Sequence, residues 1–292
     1  MTARQRFRQY LKRDTLLVAP GCFDGLSARL VQEAGFEAAY LSGGALARSM
    51  GIPDVGLATM SEVIERAAQV TSVINIPVIA DADTGYGNAL NLVRTVREYE
   101  RAGVAAIHIE DQITPKRCGH LDGKEVIPLA EMAKKLEAAL AARHDPDFCI
   151  IARTDARGVN GMDDAIKRAQ AFARLGVDAI FVEAPQSEEE LAVIPRCIPD
   201  IPLLVNVFKG GKTPMLPAER LEKMGYRIAI YPSESQRAAI HAMRNTLHTL
   251  KREGTTESID ATLTTFKERD RVVDLDGWQE IEKLFLAVKV ES

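Results

Sequence analysis

Residues 77–112 read PVIADADTGYGNALNLVRTVREYERAGVAAIHIEDQ and contain one complete strand–helix–strand pattern. The two apolar runs, Pro77–Ala80 and Ala105–Ile109, are short and nearly continuous, as in strands buried on both faces of a parallel sheet. Between them, Ala89–Ala102 has the apolar spacing of a helix, and Gly103 follows as a common helix stop. This order of elements predicts a βαβ unit.

The same pattern recurs along most of the chain. Eight apolar runs are predicted as strands: Leu16–Ala19, Ala38–Leu41, Pro77–Ala80, Ala105–Ile109, Phe148–Ala152, Ala179–Val182, Pro202–Val205 and Ile228–Tyr231. Eight stretches between and after them are predicted as helices: Gly25–Ala34, Met60–Ser72, Ala89–Ala102, Leu129–Arg143, Met162–Leu175, Ser187–Ile194, Pro217–Met224 and Ser235–Arg252. Eight alternations predict an α/β fold, a (β/α)8 barrel. A doubly wound sheet with a small second domain is the alternative, but no glycine-rich dinucleotide motif follows the first strand.

The pattern changes after Lys251, which predicts a second part of the chain. Residues 252–270 are polar and poorly periodic, whereas DGWQEIEKLFLAV, residues 276–288, reads as one amphipathic helix. We therefore predict a barrel over residues 1–250 and a C-terminal helical extension over residues 251–292. The extension does not read as a ninth barrel unit, and we expect it to pack on a neighbouring subunit.

Length and composition are those of an ordered globular protein, since the 292 residues are 46% hydrophobic and 27% charged. A net charge of −4 without a basic tract argues against nucleic acid or an anionic membrane as a partner. The four cysteines form no CxxC pair, which argues against a disulfide framework or a structural zinc site. The basic N-terminal stretch MTARQRFRQYLKRD is predicted as a surface helix rather than a targeting peptide. No apolar run approaches the ~18 residues of a membrane span, so we expect a soluble, cytoplasmic protein.

Acidic side chains follow the third and fourth predicted strands, at the barrel face where active sites lie. Asp81 and Asp83 are two residues apart at an extended strand end, so both can face the barrel mouth. Glu110 and Asp111 follow the next strand. Without a cation, carboxylates this close would raise one another's pKa. Hard oxygen donors in this number predict Mg²⁺, or Mn²⁺, bound by one or two carboxylates with waters and substrate oxygens.

Residues 116–120, KRCGH, carry a second kind of candidate group. Cations and a histidine beside Cys118 are expected to favour its thiolate and to make it an acid or base in catalysis. A nucleophilic cysteine–histidine hydrolase is also compatible with these residues, although it would need no cation. Arg153, at the end of the fifth strand, suits bidentate binding of a carboxylate. The glycines of Ser42–Gly44 let backbone N–H groups approach another carboxylate or a phosphate.

The stretches YLSGG, DADTGYG, IEDQ, KRCGH and ARTDA, in this order and spacing, resemble the isocitrate lyase/phosphoenolpyruvate mutase superfamily. The resemblance covers Thr15 to Leu250, and KRCGH is similar to the branch that contains 2-methylisocitrate lyase, 2,3-dimethylmalate lyase and carboxyphosphoenolpyruvate phosphonomutase. It implies an α/β barrel whose last helix is swapped between subunits, usually in a homotetramer of helix-swapped dimers. It also implies Mg²⁺, a small carboxylate substrate and a loop that closes over that substrate.

Carried over position by position, the resemblance implies three groups of site residues. The catalytic residues would be Cys118 as the acid on the closing loop, Tyr40 near the reacting hydroxyl, and Arg153. The metal-binding residues would be Asp81 and Asp83, with Glu110 in the outer sphere. The substrate contacts would be Ser42, Gly43, Gly44, Gly119, His120, Glu183, Asn206 and Arg237.

The reaction that the resemblance implies is Mg²⁺-dependent cleavage of a carbon–carbon bond in a 2-hydroxy di- or tricarboxylate. The products would be pyruvate, or another 2-keto acid, and a second carboxylic acid released through an enediolate. Arg237 matches a position where methylisocitrate lyases bind a further carboxylate, whereas residues 208–214 look more like the dimethylmalate and phosphonomutase relatives. The substrate therefore stays open, with a carboxyphosphoenolpyruvate phosphonomutase or an oxaloacetate hydrolase or decarboxylase as alternatives.

Overall fold

Parallel strands form a closed barrel in the computed structural model, which describes residues 1–286. The eight strands of this region are β1 (Leu17–Cys22), β2 (Ala39–Leu41), β3 (Val78–Asp81), β4 (Ala106–Glu110), β5 (Cys149–Thr154), β6 (Ala179–Val182), β7 (Leu203–Asn206) and β8 (Ile228–Tyr231). Each strand pairs with the next along the chain, and β8 pairs with β1 to close the barrel. The predicted (β/α)8 barrel is confirmed, and every predicted strand overlaps an observed one.

Helices alternate with these strands. They are α1 (Ala3–Leu11), α2 (Gly25–Glu33), α3 (Gly43–Ser49), α4 (Met60–Val73), α5 (Ala89–Arg101), α6 (Leu129–Ala142), α7 (Met162–Arg174), α8 (Glu188–Cys197), α9 (Ala218–Met224), α10 (Glu234–Glu253), α11 (Phe266–Val272) and α12 (Leu275–Phe285). All eight predicted helices overlap observed ones. Helix α3 was not predicted, because its two N-terminal glycines are poor helix formers. The first strand is longer than predicted, since Gly21 continues the pairing and lets the Pro232 carbonyl approach closely.

Helix α1 lies against the N-terminal ends of the strands. The Phe7 side chain has no exposed surface and packs in one apolar cluster with inward-facing strand residues such as Ile79 and Phe181. At its edge, the Arg8 guanidinium donates to the carboxylate of Asp178 at 2.8 Å, just before β6. The predicted N-terminal helix is thus confirmed, and it covers the barrel end opposite to the C-terminal strand ends.

The chain divides into two compact units, Met1–Gln236 and the residues from Arg237 onward. The first unit contains the barrel strands. The second contains most of α10, a 3₁₀ helix over Glu257–Thr262, α11 and α12. The predicted amphipathic helix over residues 276–288 is confirmed up to Phe285, and its last two residues lie outside the described region. The boundary at residue 250 and the packing on a neighbouring subunit stay predictions. In residues 1–286, no helix combines the length and the apolar character that crossing a membrane requires.

Candidate active site

Strand-end carboxylates form one side of the candidate site. Asp81 ends β3, and its Oδ1 accepts a hydrogen bond of 2.9 Å from the backbone N–H of Asp83, whose left-handed backbone has a φ of 47°. Glu110 ends β4 and is fully buried. The barrel register thus brings Asp81, Asp83 and Glu110 to the same edge, as the spacing predicts.

Two cations neutralise part of this acidic cluster. The Lys116 ammonium lies 2.9 Å from Asp83 Oδ1 and also contacts Asp54, a carboxylate of the loop after α3. The Arg153 guanidinium lies 3.2 Å from Glu110 and 3.2 Å from Glu183. Arg153 is therefore tied to buried carboxylates and keeps one fixed orientation.

Burial and crowding shift the pKa values of the acidic cluster. Burial raises the pKa of Asp83 to about 6, which Asp81 reinforces and Lys116 opposes. Burial also raises the pKa of Glu110 well above its usual value, although Arg153 opposes this. In contrast, Arg153 and His120 overcome the effect of burial on Glu183 and lower its pKa. A further positive charge at the edge formed by β3 and β4 would therefore stabilise the ionised carboxylates there.

The residues of the acidic edge fit a hydrated Mg²⁺ ion. Within residues 1–286, no three His, Cys, Asp or Glu side chains converge into a complete metal cage. Mg²⁺ needs no such cage, because it keeps several waters and binds one or two carboxylates together with substrate oxygens. Neither oxygen of the buried Glu110 accepts a hydrogen bond of good geometry. The carboxylate oxygens at this edge are hard ligands of the kind that Mg²⁺ prefers. Asp81 and Asp83 as direct or water-mediated ligands, with Glu110 behind them, stay a prediction.

Residues 113–126 form a loop whose ends are held together above the barrel. The Ile113 N–H donates to the Glu125 carbonyl at 3.0 Å, next to an antiparallel bridge between Gln112 and Val126. The Gln112 side chain then bonds both backbone groups of Arg117, at 2.8 and 2.9 Å. This loop, called the cysteine loop below, carries Cys118, Gly119 and His120 into the site.

The backbone of Gly119 approaches the barrel closely. A Cβ atom at this position would lie 2.5 Å from Arg153 Nη2 and 2.6 Å from Glu183 Cγ. Beside it, His120 Nδ1 accepts from the backbone N–H of Lys212 at 2.9 Å, so Nε2 carries the proton and donates to Glu183 at 3.0 Å. The close contact of residue 119 with Arg153 and Glu183 therefore requires glycine.

The Cys118 thiol differs from the sequence-based expectation. Burial, followed by the nearby charge of Asp54, raises its pKa, whereas the neighbouring cations were expected to lower it. The neighbouring side chains do not lower this pKa because they contact other groups: Lys116 contacts the acidic cluster, and His120 contacts Glu183. The expectation of a favoured thiolate is therefore wrong. The thiol stays protonated at neutral pH, which suits a proton donor better than a nucleophile.

Tyr40 and His108 form a buried pair beside the acidic edge. The Tyr40 hydroxyl lies 2.8 Å from His108 Nε2, and Nδ1 of the same ring lies 3.6 Å from Asp81 Oδ1. Burial raises the pKa of Tyr40 well above its usual value. Burial lowers the pKa of His108 to about 4, so the imidazole is neutral. A neutral ring with its proton on Nδ1 leaves Nε2 free to accept a hydrogen bond from the Tyr40 hydroxyl.

These groups surround a cavity of about 120 Å³ at the C-terminal ends of the strands. Its lining contains most predicted site residues, here Tyr40, Ser42, Gly44, Asp81, Cys118, Gly119, His120, Arg153, Glu183 and Asn206. Gly43 lies beside it, since a Cβ there would meet Asp81 Oδ2 at 2.7 Å. Arg237 belongs to the second compact unit, and its role stays a prediction.

Sequence reasoning missed several residues of this site. Arg48 lies on α3 and Asp54 in the loop after it, so no strand-end rule points to these two residues of the cavity lining. Phe208 follows β7 by two residues, and the sequence had singled out residues 208–214 without identifying it as a lining residue. Asp155 was visible in the stretch ARTDA, but its bidentate contact with Arg153, at 2.9 and 3.2 Å, was not. The signal that could have found it is the pairing rule that a buried arginine needs a carboxylate.

The fold and the cavity define a (β/α)8-barrel enzyme site for a small anionic substrate. Residues 7–251 match the family model described as phosphoenolpyruvate phosphomutase. The chain belongs to this family, within the isocitrate lyase/phosphoenolpyruvate mutase superfamily.

Three curated relatives illustrate the range of the family. The chain is 44% identical to 2,3-dimethylmalate lyase of Eubacterium barkeri, covering 97% of this chain and 98% of the relative. It is 45% identical to probable 2-methylisocitrate lyase 1 of Corynebacterium glutamicum, over 93% of this chain and 88% of the relative. It is 42% identical to the chloroplastic carboxyvinyl-carboxyphosphonate phosphorylmutase of Arabidopsis thaliana, over 95% of this chain and 83% of the relative. These identities differ too little to choose between the reactions.

Solved structures give the same family. A crystal structure of 2,3-dimethylmalate lyase superposes with a TM-score of 0.92 at 37% identity, covering 97% of this chain and 95% of the other. Oxaloacetate acetylhydrolase in complex with 3,3-difluorooxalacetate gives 0.92 at 35% identity, over 97% and 96% of the two chains. Phosphonopyruvate hydrolase in complex with oxalate and Mg²⁺ gives 0.90 at 32% identity, over 98% and 100%. The barrel is therefore that of an enzyme family that includes lyases.

Proposed function

We propose that this protein is a Mg²⁺-dependent carbon–carbon lyase acting on a 2-hydroxy dicarboxylate, with pyruvate as one product. The protonated thiol of Cys118 carries this proposal, because bond cleavage leaves a carbanion equivalent that must be protonated. Formation of a carbon–phosphorus bond would need no proton donor for carbon, whereas hydrolysis of oxaloacetate would need one, so Cys118 separates the lyase from the phosphonomutase. The lyase names of two relatives support the same choice.

The residues at the acidic edge bind the half of the substrate that becomes the keto acid. A bound Mg²⁺, or Mn²⁺, would lower the pKa of the substrate hydroxyl and hold its carboxylate oxygens. Asp81 and Asp83 hold that cation, while the backbone of Ser42–Gly44 binds the carboxylate. Tyr40 Oη, whose own proton is donated to His108 Nε2 at 2.8 Å, accepts a hydrogen bond from the substrate hydroxyl, and the hydroxyl proton then leaves to a water in the cavity.

Arg153 and Cys118 act on the departing acid. As the hydroxyl proton leaves, the electron pair of the O–H bond forms the second bond of the ketone C=O, and the neighbouring carbon–carbon bond breaks. The electron pair of that bond moves into an enediolate, whose negative charge Arg153 stabilises because its orientation is fixed in advance. Cys118 then donates its proton to the carbon. His120, Glu183 and Asn206 complete the binding of this half.

The apolar part of the cavity lining favours an alkyl-substituted dicarboxylate. Phe208 and Pro232 belong to this lining, and His120 packs edge-to-face on the Phe208 ring with 4.4 Å between the ring centroids. An apolar wall stabilises methyl groups, while an additional carboxylate would lose its hydration there. We therefore place 2,3-dimethylmalate and related 2-alkylmalates before 2-methylisocitrate as substrates.

Pyruvate release tests the proposal. The enzyme is assayed by coupling to lactate dehydrogenase with 2,3-dimethylmalate, other 2-alkylmalates and 2-methylisocitrate, first with chelator and then with added Mg²⁺ or Mn²⁺. We expect cation-dependent release from a 2-alkylmalate. Consumption of oxaloacetate without release from these acids would favour a hydrolase or decarboxylase. A carbon–phosphorus bond detected by phosphorus NMR would favour a phosphonomutase.

We further propose that the enzyme is a cytoplasmic homotetramer in which the C-terminal helix is swapped between subunits. Helix α12 supports this, because its apolar side chains Trp278, Leu284 and Phe285 are 63 to 79% exposed. Exposed apolar area of this size on one amphipathic helix indicates an interaction surface.

A further inference from the structure

Lys124 is a buried lysine near the end of the cysteine loop. Its side chain is 2% exposed, and its ammonium donates to the Gly119 carbonyl and, at 2.8 Å, to Asp155 Oδ1. One acceptor therefore belongs to the tip of the loop and the other to the barrel. A buried ammonium without such partners would be strongly unfavourable, so these two contacts fix where the loop can lie.

We propose that Lys124 is the positioning residue that holds the cysteine loop closed over the cavity. It bonds the carbonyl of Gly119, in the Gly119–His120 peptide, and thereby restrains the backbone next to Cys118. The effect that we expect of Lys124 on turnover rests on the proposed function, in which Cys118 is the proton donor. The effect that we expect on loop closure is independent of that function.

Asp155 links loop closure to the orientation of Arg153. The same carboxylate accepts from Lys124 and from the Arg153 guanidinium, and its side chain has no exposed surface. When the loop opens, Lys124 leaves Asp155, and the carboxylate keeps only Arg153 as a cationic partner. The closed loop and the arrangement of the anion-binding arginine are therefore stabilised by one shared group.

Another charged contact of this loop, at its exposed side, is of a different kind. The Lys212 ammonium lies 2.6 Å from Asp122 Oδ1, but the side chains of this pair are 31% and 94% exposed. Exposed pairs of this type contribute little, because water and salt screen them. Asp122→Asn is therefore a matched control: it removes one ion pair from the same loop, two residues from Lys124.

The test measures how fast Cys118 is alkylated, in a Cys197→Ser background that removes the other accessible thiol. Lys124→Met and Asp122→Asn are compared with the parent by iodoacetamide labelling and mass spectrometry, together with trypsin cleavage after Arg117. We expect Lys124→Met to speed labelling of Cys118 and cleavage at Arg117 at least tenfold, and Asp122→Asn to stay within twofold of the parent. Labelling of Lys124→Met within twofold of the parent would overturn the proposal.

Turnover gives a second readout. With the lyase substrate, Lys124→Met should lower kcat more than it raises KM, and Lys124→Arg should restore part of kcat, because the charge returns. Lys124→Gln, which keeps a donor without the charge, should show an intermediate labelling rate and serves if Lys124→Met does not fold. Faster labelling with unchanged turnover would support the loop contact and contradict Cys118 as the acid, so the two failures are distinguishable.

Discussion

Cys118 is the residue on which the chemistry depends. Because burial raises the pKa of its thiol, the group that must donate a proton is in the correct form throughout neutral pH. We expect kcat to be level there and to fall only above the ordinary thiol pKa of about 8.5, as the proton is lost. Cys118→Ser should lower kcat by about 10² to 10⁴-fold and remove this alkaline fall, since a serine hydroxyl does not titrate in this range. A pH profile of kcat for both enzymes tests this, and an identical alkaline fall in the serine variant would contradict it.

Gly119 gives a second test at the residue scale. A methyl group at this position would lie 2.5 Å from Arg153 Nη2, so the loop could not seat against the barrel without displacing the arginine. We expect Gly119→Ala to lower kcat at least tenfold while leaving the thermal unfolding temperature nearly unchanged, because the loop lies outside the core. Gly123→Ala is a less suitable control, since its φ of 74° disfavours any side chain. Asp122→Asn is the better one, and normal turnover in Gly119→Ala would refute the required close contact.

At the scale of elements, α1 stabilises the barrel without belonging to the active site. Phe7 is fully buried among strand residues, so Phe7→Ala should lower the free energy of unfolding by about 3–5 kcal/mol. Leu90→Ala is the control, because Leu90 is 81% exposed and its change should stay within about 0.5 kcal/mol. Urea unfolding followed by circular dichroism measures both. Specific activity of the folded Phe7→Ala protein should equal that of the parent, since α1 lies at the opposite barrel end; a loss of activity without a loss of stability would argue against this division.

The elements also show what could be predicted from sequence and what could not. Strand ends in a barrel share one face, so the positions of Asp81, Glu110 and Arg153 followed from periodicity alone. The state of Cys118 did not, because sequence neighbours such as Lys116 direct their charges elsewhere. Contacts made by loops, including that of Lys124 with Asp155, depend on the path of the chain after the strand, which no repeat period fixes.

At the scale of the whole molecule, we expect α12 to form the surface through which the chain assembles. Leu275, Trp278, Ile281 and Phe285 recur at helical spacing and are all exposed, which leaves an apolar stripe on this helix. A stripe of this kind is stabilised when a second protein surface removes it from water, at roughly 25 cal/mol for each Å² buried. We therefore expect the purified protein to be a homotetramer rather than a monomer.

Charge placed on the stripe should break this assembly. Trp278→Glu puts a carboxylate where the interface would remove it from water, and the loss of the ring removes apolar area as well. Gln279→Glu is the matched control, because it adds the same charge on the same helix at an exposed polar position. Sedimentation velocity over a range of protein concentrations should show a tetramer for the parent and for Gln279→Glu, and smaller species for Trp278→Glu. A tetramer that persists in Trp278→Glu would place the assembly surface elsewhere, and a monomeric parent would contradict the swapped-helix tetramer itself.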